Sequence, residues 1–261
     1  LSEVLARING MGDSDALVKE RLASLKKASN CSCVPELSMK NMAKLGIVLD
    51  QLIEEYQMGA VAIRCWIELE KSLRVAPCLL MGVLNERGVP ASCEMDVCSS
   101  LMMTALSAAS DSPAVCMDWN NNYGDDPDKC ILFHCGPTAP SMMKAKGKIV
   151  EHYMFAKTFG CGYGWGPNSG RLAPSKMTYA TCKTDEGKIV TMLGNGDITA
   201  DKIPPVYFGC PGVAKIKNLQ RLLQVMGRHG FKHHMGLTYG HYESALREAF
   251  TNYLGYEIQE F

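Results

Sequence analysis

Short apolar runs alternate with helical patterns in the first half of the chain. Residues Gly59 to Trp66 form an apolar run of strand length, and Ala76 to Gly88 starts near a proline and ends at a glycine, as helices do. The acidic motif Cys93-Glu94-Met95-Asp96 follows, and a Leu- and Met-rich helical pattern covers residues 97–109. This order predicts a βα unit with carboxylates at its strand ends.

The flanking regions have simpler patterns. Two amphipathic helices are predicted at Asp13–Leu25 and Ser38–Tyr56, and a third at Tyr242–Leu254, ended by Gly255. Two strands are predicted at 113–119 and 130–136, on either side of an Asn-rich turn at 120–127. Beyond Gly136, short strand patterns at 177–182, 187–194 and 206–210 predict a small antiparallel sheet or barrel.

Composition narrows the classes of function. The 261 residues include 27 basic and 27 acidic side chains, so no net charge favours nucleic acid or an anionic membrane. No apolar run approaches the roughly 20 residues of a membrane helix. Most of the twelve cysteines lie in apolar runs, which favours buried reduced thiols. We therefore expect a cytoplasmic protein with a small neutral partner, and the missing initiator Met suggests a preceding domain.

Carboxylates and histidines are the candidate chemical groups. Glu68, Glu94 and Asp96 follow predicted strands, where α/β folds place catalytic residues, although each alone is equally typical of a loop charge or a helix N-cap. Asp118 and His134 also fall at or near strand ends. Four of the six histidines lie between Arg228 and His241. One histidine with two distant carboxylates would suit a divalent ion such as Mn²⁺.

Four stretches, in this order, resemble the L-fucose isomerase family over its C-terminal two thirds. They are Cys65-Trp66-Ile67-Glu68, Asn85 to Asp96, His134-Cys135-Gly136, and His233 to His241. The resemblance implies a manganese or other divalent ion held by a Glu, an Asp and a His. The Asp of the acidic motif falls on Asp96, and the metal histidine falls on His234. The Glu falls on Glu68, with Glu70 as the alternative because the two could share one side of an extended segment.

The resemblance also implies an architecture. We expect a Rossmann-like α/β domain over residues 1–88, followed by a mixed domain over 89–261 with an antiparallel β-barrel portion and a C-terminal helix. The metal site would then lie between the domains. Neighbouring subunits help to build the active site in such isomerases, so we expect a homo-oligomer.

The implied function is aldose–ketose isomerisation of a sugar through an enediol. Glu68 and Asp96 would transfer protons, and the sugar would contact some or all of Trp66, Glu94, His134, Trp165 and His241. Core packing is the alternative for both tryptophans, and a hydrogen-bonded structural histidine is the alternative for His134. A non-catalytic sugar-binding protein and a different metal-dependent enzyme remain the competing functions.

Overall fold

The computed structural model describes residues 1–261 as a mixed α/β fold. Its nine α-helices are α1 Ser2–Asn9, α2 Ala16–Ala28, α3 Glu36–Glu55, α4 Glu68–Leu73, α5 Cys78–Glu86, α6 Val97–Ser110, α7 Tyr153–Phe159, α8 Leu219–His229 and α9 Glu243–Glu248. A 3₁₀ turn covers Pro140–Met142, and a π-helical turn covers Ala249–Tyr253. None of these helices is both long enough and apolar enough to cross a bilayer.

Eleven strands form three sheets. They are β1 Val61–Ile63, β2 Ala91–Cys93, β3 Ala114–Tyr123, β4 Asp126–Phe133, β5 Lys148–Glu151, β6 Trp165–Ser169, β7 Ser175–Asp185, β8 Lys188–Ile198, β9 Gly212–Lys215, β10 His234–Tyr239 and β11 Glu257–Ile258. The large sheet has the order β11-β8-β7-β10-β3-β4-β9, with β9 also pairing with β8. Only the β11–β8 pair in this sheet is parallel. The antiparallel β-barrel portion expected within residues 89–261 remains a prediction.

The N-terminal part contains little sheet. The segment before β1 is helical, and β1 pairs in parallel with β2 alone. The structure therefore does not confirm the predicted Rossmann-like domain, since two strands of three residues cannot form its sheet. The β1–β2 pair also spans the boundary predicted at residue 88. The division into two domains stays a prediction.

The alternating direction of side chains along β3 explains how the large sheet carries apolar clusters on both faces. Val115 and Met117 join the cluster that includes α8, whereas Ala114 and Cys116 join the cluster formed with α6 and α9. Successive side chains of a strand point to opposite faces, so a short apolar run can serve two layers. This packing places the start of α6 beside the central strands β3, β7 and β10.

Several predicted elements agree with the structure, and two do not. The helices predicted around 38–56, 76–88 and 97–109 are α3, α5 and α6. The Asn-rich segment is not a turn, because β3 continues to Tyr123 and the chain reverses at Gly124, whose φ is +57°. Residues 206–210 form no strand, and β9 starts only at Gly212. Both errors arise because strand pairing depends on distant segments: pairing with β4 extends β3 through the Asn residues, whereas the apolar residues 206–210 join no strand pair.

Gly209→Ala provides a test of the close packing behind His134. A Cβ on Gly209 would lie 2.2 Å from the His134 carbonyl oxygen, and its φ is +71°. We expect the substitution to lower the free energy of unfolding by about 2–4 kcal/mol in chemical denaturation, from strain plus overpacking. Gly124→Ala is the matched control, since φ is also positive there but the space is open. A loss limited to about 1 kcal/mol is expected for the control. Equal losses in both variants would contradict the packing argument.

Candidate active site

Asp96 forms the N-cap of α6. Its Oδ1 accepts a hydrogen bond from the Ser99 backbone N–H at 2.9 Å, and its Oδ2 accepts one from the Ser99 hydroxyl at 2.7 Å. The two preceding residues, Glu94 and Met95, have φ of +59° and +57°. Such left-handed conformations cost about 1 kcal/mol each for residues other than glycine. The loop from β2 to α6 is thus a strained turn that fixes the Asp96 carboxylate.

His234 lies in the centre of the large sheet and meets that carboxylate. It is the first residue of β10 and pairs with Asp118 of β3. Its Nδ1 lies 2.9 Å from Asp96 Oδ2, and its Nε2 lies 3.2 Å from Asp118 Oδ1 and 3.7 Å from Glu94 Oε2. Asp96 and His234, predicted together from sequence, are therefore in direct contact.

Opposite charges set the protonation of this cluster. Burial would lower the pKa of His234, but the carboxylates of Asp118 and Asp96 outweigh it and raise the pKa to about 9. Burial also opposes ionisation of Asp96. Hydrogen bonds from His234, Lys232 and Ser99 nevertheless hold its pKa well below the ordinary range. Asp118 has a lowered pKa for the same reason, because the contact with His234 outweighs burial.

His134 stands beside the cluster as a hydrogen-bond donor. Its ring centroid is 5.5 Å from that of His234, and its Nδ1 accepts the backbone N–H of Cys135 at 2.9 Å. Burial lowers the pKa of His134, so the ring is neutral and its proton sits on Nε2. That Nε2 is buried and has no hydrogen-bond partner. It could donate to a ligand oxygen, in line with the predicted role in substrate binding.

The cluster also fits a divalent cation. The buried Nε2 of His234 and the buried Oδ1 of Asp118 form an ion pair at 3.2 Å, but neither makes an aligned hydrogen bond. Buried polar atoms are normally hydrogen-bonded, so these two atoms and the unpartnered Nε2 of His134 are open to a further partner. Imidazole nitrogen and carboxylate oxygen are suitable donors for Mn²⁺. The residues present therefore suit the predicted metal, although its identity is untested.

Glu68 and Glu70 point in different directions. Their segment is helix α4 rather than an extended strand, and residues two apart on a helix point about 200° apart. The side chain of Glu68 is 45% exposed, pairs with Arg64 at 3.1 Å and accepts the Ile67 N–H at 2.9 Å. It makes no hydrogen bond or ion pair with Asp96 or His234. The expectation that Glu68 and Glu70 could share one side is thus wrong, because the local helix separates them.

Glu70 is buried in a small enclosed cavity instead. Both of its carboxyl oxygens lack hydrogen-bond partners, and burial raises its pKa to about 8. The cavity is also lined by Trp66, Glu94, Cys135 and His152, so it adjoins the His234 cluster through Glu94. The Trp66 ring packs on His152 and on Phe155, with centroids 5.5 Å and 4.6 Å apart. Glu70 is therefore an uncharged carboxylic acid at the edge of the candidate site.

Trp165 and His241 lie outside these contacts. Trp165 belongs to β6 and packs against the N-terminal core cluster. The His241 ring lies 3.2 Å from the Gly196 carbonyl oxygen. Neither side chain hydrogen-bonds to the His234 cluster or stacks on it, and their predicted sugar contacts remain untested.

Sequence reasoning gave little weight to three members of the site. Asp118 is predicted only as a residue near a strand end, and its signal is a carboxylate directly after the continuous apolar run Ala114–Met117. Lys232, whose Nζ pairs with Asp96 Oδ1, gave no signal beyond its place in the histidine-rich stretch. His152 gave no signal, because its place beside the Glu70 cavity depends on tertiary contacts such as the one between its Nε2 and Cys135 Sγ at 3.2 Å.

Comparison with known proteins supports the resemblance. The model of the L-fucose isomerase C-terminal domain matches residues 132–261, which include β10 and His234. This part of the chain is therefore similar to that domain, and the resemblance inferred from the motifs is confirmed.

Three curated relatives are sulfoquinovose isomerases. Those of Priestia aryabhattai and Priestia megaterium are each 21% identical over 203 residues, which is 78% of this chain and 44% of theirs. The one from Alkalicoccus urumqiensis is 21% identical over 215 residues, or 82% of this chain and 47% of its own. The chain thus spans about half the length of the curated relatives it matches.

The buried carboxyl of Glu70 predicts a dependence of stability on pH. Above the ordinary glutamate pKa of 4.5, the Glu70 carboxyl is ionised in the unfolded chain. In the folded protein the same carboxyl stays protonated up to about pH 8. Its contribution to the free energy of unfolding should fall by up to about 1.4 kcal/mol per pH unit across that window. Glu70→Gln should remove the loss, so its stability advantage over the unsubstituted protein grows between pH 5 and pH 8.

Urea denaturation after chelator treatment would measure this difference. Glu68→Gln is the control, since Glu68 is exposed and its pKa is lowered by backbone hydrogen bonds. The control should show no growing advantage over the same window. A constant difference for Glu70→Gln would mean that Glu70 is ionised in the folded protein.

Proposed function

We propose that the protein is a metal-dependent sugar isomerase that interconverts an aldose and a ketose through an enediol. The observation that carries the proposal is the buried cluster of His134, His234 and Asp118, whose facing atoms make no aligned hydrogen bonds, in a chain whose residues 132–261 match the L-fucose isomerase C-terminal domain. The names of the curated relatives support isomerisation as the reaction class. Homo-oligomeric assembly remains a prediction.

The cation would be held by His234 together with neighbouring carboxylates, with Asp96 as the predicted acidic partner. When bound, Mn²⁺ or a similar ion polarises a sugar carbonyl and stabilises negative charge that develops on oxygen. His134 would donate its Nε2 proton to a sugar oxygen. Trp66, which lines the Glu70 cavity, would offer an apolar ring to the sugar.

Isomerisation needs a group that removes a proton from carbon and returns it to the adjacent carbon. A general acid–base residue works best with a pKa near the working pH. Glu70, with a pKa of about 8, meets this condition, whereas the pKa of Asp96 is held far below it. We therefore assign proton transfer to Glu70 rather than to Glu68, and we keep Asp96 as the acidic partner that would hold the cation with His234.

Paired substitutions test this assignment. Glu70→Gln should lower kcat by about 10²–10⁴-fold, the usual contribution of a general acid or base. Glu68→Gln is the matched control, because it changes an exposed carboxylate of the same helix turn and should leave kcat near that of the unsubstituted enzyme. Both variants should bind Mn²⁺ with unchanged affinity. The reverse ranking of the two variants would restore Glu68 as the catalytic residue.

A direct assay tests the function itself. The protein, in its full natural length, would be incubated in D₂O with Mn²⁺ and a panel containing L-fucose, arabinose and sulfoquinovose. We expect ketose formation with one of them and deuterium at C2 of the recovered aldose, because the enediol exchanges with solvent. His234→Gln should abolish both signals. Sugar binding without exchange, seen by calorimetry, would instead support a non-catalytic binding protein.

A further inference from the structure

Cys65 and Cys93 are two buried thiols in direct contact. The Cys93 S–H donates a hydrogen bond to the Cys65 sulfur, and the two Sγ atoms lie 3.0 Å apart. The two residues are only 5% and 2% exposed, and both are free thiols. Sugar isomerisation consumes no thiol and transfers no electrons to the protein, so this pair has no part in the reaction proposed above.

The β1–β2 ladder brings the two thiols together. Cys93 is the last residue of β2 and pairs with Ile63 of β1, and Cys65 follows Ile63 by two residues. Both cysteines also belong to one buried apolar cluster, together with Met81 and Leu84 of α5. The backbone pairing and the packing of α5 therefore hold the two sulfur atoms in contact, although 28 residues separate them in the chain.

The thiol pair forms part of the wall of the Glu70 cavity. Cys65, Cys93 and Glu94 line this cavity beside Glu70, and its volume is about 10 Å³. A space of this size holds about one water-sized molecule. The side chain of Glu94 is 40% exposed, so the lining of the cavity extends to the protein surface. A molecule as small as hydrogen peroxide can therefore approach the two thiols on the Glu94 side.

We propose that Cys65 and Cys93 are a site of reversible oxidation, at which hydrogen peroxide converts the two thiols into a disulfide and thereby lowers the activity of the enzyme. The two thiols lose two protons and two electrons, and one S–S bond forms. The peroxide accepts both, its O–O bond breaks, and two water molecules leave. A dithiol reductant reverses the change by thiol–disulfide exchange.

The hydrogen bond between the thiols assigns the order of the two steps. Cys65 accepts the Cys93 S–H, so negative charge that forms on the Cys65 sulfur is stabilised. The same contact, together with burial, raises the pKa of Cys93. Cys65 therefore attacks the peroxide first and becomes a sulfenic acid as the first water leaves. The Cys93 sulfur then attacks the Cys65 sulfur and releases the second water.

Closure of the disulfide would move both ends of the candidate site. The two sulfur atoms would approach from 3.0 Å to about 2.05 Å. Cys65 lies just before the helix that carries Glu70, and Cys93 lies just before the strained loop that ends at Asp96. A displacement of about 1 Å at catalytic groups can lower a rate about 100-fold. The effect on activity rests on the isomerase function proposed above, whereas the cross-link does not.

Mass spectrometry of the oxidised protein tests the cross-link directly. The folded protein would be treated with hydrogen peroxide, its remaining thiols alkylated in denaturant, and its peptides mapped without reduction. We expect a peptide pair joined through Cys65 and Cys93, lighter than the two free peptides by two hydrogens, which dithiothreitol separates. Mapping is needed because Cys33 and Cys161 are exposed and can oxidise independently. Absence of the joined pair would overturn the inference, whichever other thiols are oxidised.

Activity measurements test the consequence of the cross-link. After oxidation and removal of the peroxide with catalase, isomerisation with Mn²⁺ should be at least about tenfold slower and should recover with dithiothreitol. Cys65→Ser should resist this loss, and Cys93→Ser serves the same purpose should Cys65→Ser fail to fold. Cys78→Ser is the matched control, since it removes another buried thiol of the same cavity and should be inactivated as fully as the unsubstituted protein.

The two measurements separate this inference from the proposed function. A Cys65–Cys93 cross-link without loss of activity, or an equal loss in Cys65→Ser, would overturn the effect on activity. Absence of isomerisation in the reduced protein would overturn the proposed function, and the peptide map would still decide whether the cross-link forms.

Discussion

The contact between Asp96 and His234 is the interaction on which the rest of the site depends. It joins the first turn of α6 to the central strand β10, so it ties a helix start to the large sheet. Because Asp96 also caps α6 through Ser99, the same carboxylate stabilises a helix and orients a ring. Any rearrangement of the β2–α6 loop would therefore change the direction in which His234 Nε2 points.

Burial then divides the acidic residues into different chemical types. Asp96 is surrounded by donors and stays ionised, whereas Glu70 has no donor and becomes a neutral acid. Environments that separate the pKa values of nearby carboxyl groups are typical of catalytic sites. The candidate site thus combines an ionised carboxylate, Asp96, with a buried, protonated carboxylic acid, Glu70.

Elements from the N-terminal part of the chain help to position this site. Asn85 at the end of α5 donates to the Pro137 carbonyl at 2.8 Å and accepts the Ala91 N–H at 2.7 Å, which links β2 to the loop after β4. The buried Cys65 and Cys93 lie side by side, each just before an acidic motif. These contacts hold the Glu70 cavity against the large sheet, although the two regions are distant in sequence.

The sequence by itself determined the helices α3, α5 and α6, the hairpin strands β3 and β4, the resemblance to the L-fucose isomerase family, and the pairing of Asp96 with His234 as candidates. Local periodicity and short motifs carry that information, since each depends on residues close in the chain. Only the tertiary structure decided that α4 separates Glu68 from Glu70, that Asp118 stands opposite His234, and that Lys232 reaches Asp96. Those relations depend on strand register and burial, which are set by packing between distant segments and leave no local pattern.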